Sequence, residues 1–290
     1  MPNAANSTVK SPLTICIAAI CENGKSVVAA SDRMITAGFL ALEYEHPRPK
    51  LDRLSSSVVG LTAGDALIVT ELFGLCRDKI QELQSPRVAR VADVVKDQFI
   101  ALRKRQVEEL YLRPRGLTLK EFYRDGLINR LPDQLAFTLD NDMSKLGLNL
   151  DVIIAGVDET GAHIYGVDDP GALRCYDRMG FHGVGSGLTH ALLTLAANQH
   201  CQERSLNETV FLVYESKKKA ELAPGVGPET EIGIITANGI VELSDEDKRH
   251  LQEIYDKKVA PQLEEVEEAV ADLRFADALR EQKNGQERYD

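Results

Sequence analysis

No apolar run in the sequence approaches the ~18 residues of a membrane-spanning helix, and the opening stretch MPNAANSTVKSPL lacks the apolar centre of a secretory signal. Positive charge is also scarce. Lys and Arg number 34 against 45 Asp and Glu, a net charge of −11. Binding to a phosphate backbone needs clustered cations, so that balance argues against a nucleic-acid partner. Two basic triplets, Arg103-Lys104-Arg105 and Lys217-Lys218-Lys219, read as solvated helix faces. The five cysteines form no C-x-x-C pair and no Cys/His ligand spacing, and they lie in apolar surroundings. That pattern suggests reduced core thiols in a reducing compartment, hence a cytoplasmic protein. His190 and His200 are ten residues apart, not at the i, i+4 spacing of a helical metal site. With His163 and His182 they read as structural, and the sequence calls for no metal and no cofactor.

What is present is a series of hairpins. Thr14 to Cys21 and Val27 to Ala30 are apolar runs separated by Glu22-Asn23-Gly24-Lys25, where Asn-Gly favours a tight turn. This first hairpin ends at Asp32-Arg33. MITAGFLALEYEHPRP reads as a loop, and KLDRL and SSSVVGLTAG as two further strands. DALIVTELFGLCRDKIQEL carries a helical stripe with Asp65 as N-cap. Ser85-Pro86 opens a second helix running to about Leu112. Thr118 with Glu121 is a capping box that opens a short third helix, and the segment up to Gly147 reads as polar and irregular.

The second half continues with a hairpin around Asp158-Glu159-Thr160-Gly161 and a turn at Asp168-Asp169-Pro170-Gly171. GFHGVGSGLTHALLTLAANQH is a strand end, a glycine-rich elbow and a helix. Ser205 with Glu208 caps another helix, TEIGIITANGIVELS is a hairpin, and Ser244-Asp245-Glu246-Asp247 opens an acidic helix reaching roughly Arg280. Hairpins grouped between helix pairs predict an α+β protein: a four-layer α/β/β/α sandwich of two antiparallel sheets, not a doubly wound parallel sheet. The expected organisation is a leader over 1–13, one domain over 14–243 with an insertion at about 113–149, and a helical extension over 244–290.

The order of elements, with the Thr14 strand, AASDR, KLDRL, TAGDA, AGVDETGAHIYGVD and GVGSG, resembles the proteasome β-subunit family of N-terminal nucleophile hydrolases. TAGDALIVTEL and GVGPETEIGII look nearest to its bacterial Anbu-type branch. The resemblance spans roughly Thr14 to Glu242 and implies peptide-bond hydrolysis by a threonine exposed when a leader removes itself. The hydroxyl attacks and the freed α-amine takes its proton. An α-amine pKa of ~7.7–8.0 suits a general base near neutral pH. Residues 1–13 would then mask the amine until the Leu13–Thr14 bond is cut. The alternative is that Thr14 merely starts a strand.

By the same resemblance Asp32 and Lys50 support the nucleophile, the ammonium favouring alkoxide and the carboxylate holding the ammonium. As isolated residues they would be a turn cap and a surface charge. Gly64 matches the backbone donor to the oxyanion, at a strand-to-helix junction whose free N–H groups suit that task. Gly60 is the competing assignment. Ser186 matches the serine that bonds the terminal amine. The spaced glycines around it also look like a phosphate loop, but no lysine follows. Glu221 falls near the last acidic position, although the family's Asp-x-x-Ser pattern is absent. Leu13 stands where glycine usually precedes the cleaved bond.

The implied molecule is a self-compartmentalising threonine peptidase forming a homo-oligomeric ring or spiral that encloses peptide substrates, with any ATPase partner left open. A catalytically inactive structural subunit and a small-amide amidohydrolase are the alternatives.

Overall fold

A computed structural model describes residues 13–37, 42–45, 50–83, 87–124 and 126–259. Residues 1–12 of the expected leader, the helix start at Ser85-Pro86 and the acidic helix beyond Val259 lie outside the described residues. The chain divides into two units, Met1–Leu243 and Ser244–Asp290.

In the first unit the strands are β1 (Cys16–Cys21), β2 (Ser26–Asp32), β3 (Met34–Ala37), β4 (Leu42–Glu45), β5 (Leu51–Arg53), β6 (Val58–Gly64), β7 (Leu150–Asp158), β8 (Gly161–Asp168), β9 (Ala172–Cys175), β10 (Phe181–Val184), β11 (Thr230–Thr236) and β12 (Gly239–Glu242). The helices are α1 (Ala66–Gln81), α2 (Val88–Val107), α3 (Asp133–Lys145), α4 (Leu188–Ala197) and α5 (Leu206–Ala220). Two five-stranded sheets result, ordered β10-β1-β2-β11-β12 and β5-β6-β7-β8-β9, with every neighbouring pair antiparallel.

Strands β1 and β2 are buried at every position, so they do not show the polar/apolar alternation of a half-solvated strand. Both of their faces are covered. Cys16, Ala18 and Ile20 join Val59, Leu61, Ile153 and Ala155 in a core between the two sheets. On the opposite face, α4 and α5 pack over β1, β2 and β10. Helices α1 and α2 cover the outer face of the second sheet, where Leu72, Phe73, Val95 and Phe99 meet Val152 and Ile154. The layers are therefore helix pair, sheet, sheet and helix pair, and the expected layering is present.

Local signals position the ends of these elements. Glu22, Asn23 and Gly24 all take positive φ (56°, 56° and 77°) in the first turn. Asp65 caps α1 by accepting from the Leu67 N–H at 2.9 Å. Ser205 and Glu208 form a full capping box on α5.

Two expectations need correction. The segment read as a loop after Arg33 contains the β3–β4 hairpin, with Ala37 opposite Leu42. Four-residue strands are too short to leave a readable period. The stretch read as irregular up to Gly147 contains α3 and builds a small core, in which Leu112 and Phe122 meet Leu139 and Met143. Its apolar stripe is narrow and interrupted by polar residues, which hides the helical period. The reading of the cysteines as core thiols holds for Cys16, Cys21 and Cys76, whereas Cys175 and Cys201 are exposed.

The second unit carries α6 (Asp245–Val259). Ser244 caps it, donating from Oγ to Asp247 Oδ2 at 2.6 Å and accepting from the Asp247 N–H at 3.2 Å. Among the described residues no helix is long and apolar enough to cross a membrane.

Candidate active site

Thr14 lies just before β1 and is 3% exposed. The elbow between β10 and α4 holds its backbone. The Thr14 N–H donates to Ser186 Oγ at 3.3 Å, and its carbonyl accepts from the Gly187 N–H at 3.3 Å. Gly185 has φ +104°, and a Cβ there would lie 2.3 Å from the Thr14 carbonyl oxygen, so only glycine lets the elbow approach so closely. Ser186 Oγ also donates to the Pro224 carbonyl at 2.9 Å.

The β1–β2 register brings Asp32, the last residue of β2, alongside Ile15, whose carbonyl accepts from the Asp32 N–H at 3.2 Å. Asp32 is fully buried. Its Oδ1 accepts from Thr14 Oγ1, from Lys50 Nζ at 2.7 Å and from the Ile15 N–H at 3.4 Å. Its Oδ2 accepts from the Gly227 N–H at 3.0 Å. A carboxylate removed from water needs such a set of donors. Lys50 immediately precedes β5 of the second sheet, and its ammonium also donates to Thr14 Oγ1. The cluster therefore joins the two sheets, with Thr14 and Asp32 from one and Lys50 from the other.

This arrangement has a definite chemical capacity. The Thr14 hydroxyl proton faces a carboxylate and its oxygen faces an ammonium, which favours developing alkoxide. The Thr14 nitrogen is an amide joined to Leu13, so it cannot act as a base in the uncut chain. Leu13 is half-buried against Gly225, where an added Cβ would lie 2.3 Å from the Leu13 Cβ.

Among the described residues, the remaining predicted ones take no direct part in the hydrogen bonds of this cluster. Gly64 ends β6 with φ +146°, and a Cβ there would lie 2.3 Å from the Asn149 carbonyl oxygen. Its backbone therefore requires glycine, and the side on which a Cβ would project is filled by Asn149 and Leu150. Gly60 sits in mid-strand against the Phe73 ring of α1, where a Cβ would be 2.6 Å from a ring carbon. Glu221 follows α5 and reaches the cluster indirectly, by way of Lys217, whose Nζ donates to Glu221 Oε1 at 2.7 Å.

Lys217 corrects the sequence reading. It is not on a solvated face but 0% exposed. Its ammonium also donates to the carbonyls of Gly227 at 2.7 Å and Pro228 at 2.8 Å. Burial pushes its pKa down, opposed by the Glu221 carboxylate. Gly227 in turn donates to Asp32, so Lys217 ties down the loop that seats the buried carboxylate. A signal for this was present in the sequence. Thr209, Val213, Ser216, Lys217 and Ala220 share the buried face of α5 at helical spacing, and Glu221 follows Lys217 by four.

The histidines occupy other places. His163 Nδ1 meets Asp177 at 2.7 Å, His200 Nε2 meets the Ile20 carbonyl at 3.0 Å, and His182 stacks on Tyr176 with centroids 3.6 Å apart. Among the described residues no group of three or more His, Cys, Asp and Glu could hold a metal ion. No family model matches the sequence, and no curated protein matches it.

Proposed function

We propose that the chain is a threonine-type peptidase, an N-terminal nucleophile hydrolase of the proteasome β-subunit kind, activated by cleavage of the Leu13–Thr14 bond. The reading is carried by one observation: the Thr14 hydroxyl is hydrogen-bonded to both Lys50 and Asp32, which bond each other at 2.7 Å. Two antiparallel sheets between helix pairs add support, since that layering is what the resemblance leads one to expect. Self-cleavage begins with attack of Thr14 Oγ1 on the Leu13 carbonyl carbon. The acyl group passes from nitrogen to oxygen, and water hydrolyses the resulting ester. The freed α-amine, held by Ser186, then accepts the hydroxyl proton when a substrate peptide carbonyl is attacked. It returns that proton to the departing amine.

Lys50 stabilises the alkoxide and Asp32 fixes Lys50. By resemblance Gly64 supplies an oxyanion donor. Cytoplasmic assembly as a homo-oligomeric ring or spiral would keep such a site away from folded proteins.

Intact-mass measurement tests the first step and fluorogenic peptides test the second. The expected result is a chain beginning at Thr14 that hydrolyses peptides and is blocked by electrophiles that capture N-terminal threonine. Thr14→Ala should keep its leader and lose all turnover while retaining the wild-type circular dichroism. An active preparation that still carries residue 13 on residue 14 sinks the proposal. A folded assembly without turnover supports the structural-subunit reading, and turnover confined to small acylated amines supports the amidohydrolase.

A further inference from the structure

The C-terminal half of α2, the π-helical turn Lys120–Arg124 and the end of α3 line an open cavity of about 670 Å³. Five cations line it: Arg103, Lys104, Arg105, Lys120 and Arg124. That is a concentration of positive charge in a chain whose net charge is −11. Their partners differ in kind. Arg105 is neutralised by an ion pair to Glu71, with Glu109 at 3.7 Å. Arg103 donates to the carbonyls of Leu146 at 2.7 Å, Ser144 at 2.9 Å and Met143 at 3.3 Å, which fixes its guanidinium without cancelling its charge. The side chains of Lys104, Lys120 and Arg124 have no ion pair or hydrogen bond among the described residues.

One carboxylate, that of Glu108, also lines the cavity and keeps its charge. Glu108 accepts from the Leu119 N–H at 3.0 Å, and Asp140 accepts from the Tyr123 hydroxyl at 2.6 Å. With Arg105 paired to Glu71, four further cations share the lining with the single carboxylate of Glu108, and a multiply charged anion would offset the excess positive charge. The rest of the lining is not ionic. Val107, Leu119 and Met143 form an apolar floor, and the Tyr123 ring stands beside it. Small-ligand sites typically occupy ~300–1,000 Å³ and combine an apolar lining with a few placed charges. Guanidinium and ammonium groups suit phosphate oxygens, and an aromatic ring offers a face to a planar base.

We propose that this cavity binds a nucleoside di- or triphosphate, its phosphates among Arg103, Lys104, Lys120 and Arg124 and its base over the apolar floor beside Tyr123. The site owes nothing to the peptidase reading, so each can fail alone. Calorimetric titration of the full-length protein with ATP, ADP, adenosine and inorganic tripolyphosphate at low and physiological salt tests it. Saturable ATP and ADP binding is expected, weaker at the higher salt, with tripolyphosphate binding less tightly than ATP and adenosine not detectably. Charge-assisted hydrogen bonds of ordinary strength predict a loss of about tenfold or more in ATP affinity for Lys104→Gln and for Arg124→Gln. Both residues are exposed, so the fold should tolerate the changes, and Lys25→Gln in the first turn should leave binding unchanged. The proposal is overturned if ATP does not saturate the protein by about 1 mM, or if the cavity variants bind as the wild type does. Tripolyphosphate binding as tightly as ATP would refute the nucleoside.

Discussion

Replacing Lys217 with methionine tests whether a buried ammonium organises the Asp32 loop. Methionine fills much of the same volume but donates no hydrogen bond. Three bonds disappear, those to Gly227 O, Pro228 O and Glu221 Oε1. A buried acceptor left unpaired costs ~1–3 kcal/mol, and removing one member of a buried ion pair ~3–5 kcal/mol. Glu221 keeps Lys218 at 2.8 Å and is 22% exposed, so its share is smaller. Burying an ammonium is itself unfavourable, and the substitution removes that cost. The net loss should be about 2–4 kcal/mol, which lowers Tm by roughly 5–15 °C in a domain of this size.

Urea unfolding followed by circular dichroism between pH 7 and pH 10 measures both the loss and its pH dependence. Burial lowers the Lys217 pKa from 10.5. Between the folded and unfolded values the unfolded chain holds more proton at this site, so stability rises with pH there. The wild type should therefore gain on Lys217→Met as pH climbs toward 10.5. A variant within about 0.5 kcal/mol of wild type at every pH would mean that the side chain is solvated, and the account of the loop would be wrong.

Three further outcomes follow from the geometry. Gly64→Ala should lower stability by more than about 2 kcal/mol, since φ is +146° and the new Cβ would meet the Asn149 carbonyl at 2.3 Å. Gly74→Ala, inside α1 with nothing within 4 Å, should raise stability by about 1 kcal/mol, and one thermal-unfolding series compares the two. Burial lowers the His182 pKa from 6.5 to about 4. The unfolded chain protonates first as pH falls, so this contribution is complete above 6.5 and is lost toward 4. His182→Phe keeps the stack on Tyr176 and should lose less stability than wild type between pH 7 and pH 5, as read by denaturant midpoints; equal losses would refute the assignment.

Much of the architecture was legible because the local signals agreed. Asp65 caps α1, Ser205 and Glu208 box α5, and the turns at Asn23-Gly24 and Asp158–Gly161 are where their residue types place them. Legibility ended where an element was short or its stripe narrow, as in β3, β4 and α3. Of the site, Thr14, Asp32, Lys50 and Ser186 come together. Gly64 takes no part in the hydrogen bonds of the group among the described residues, and Glu221 reaches it only by way of Lys217. That lysine escaped because a run of three lysines looks like a solvated face, and charge alone does not tell which member of the run points inward.

Hairpin order, the cap positions and the apolar character of β1 and β2 on both faces follow from the chain itself, because they depend on neighbours within a few residues. Bringing Lys50 of one sheet to Thr14 and Asp32 of the other does not, nor does gathering cations around the α2–α3 cavity. Those are contacts between residues far apart in sequence, and they exist only once two sheets have packed face to face and the helices have closed over them.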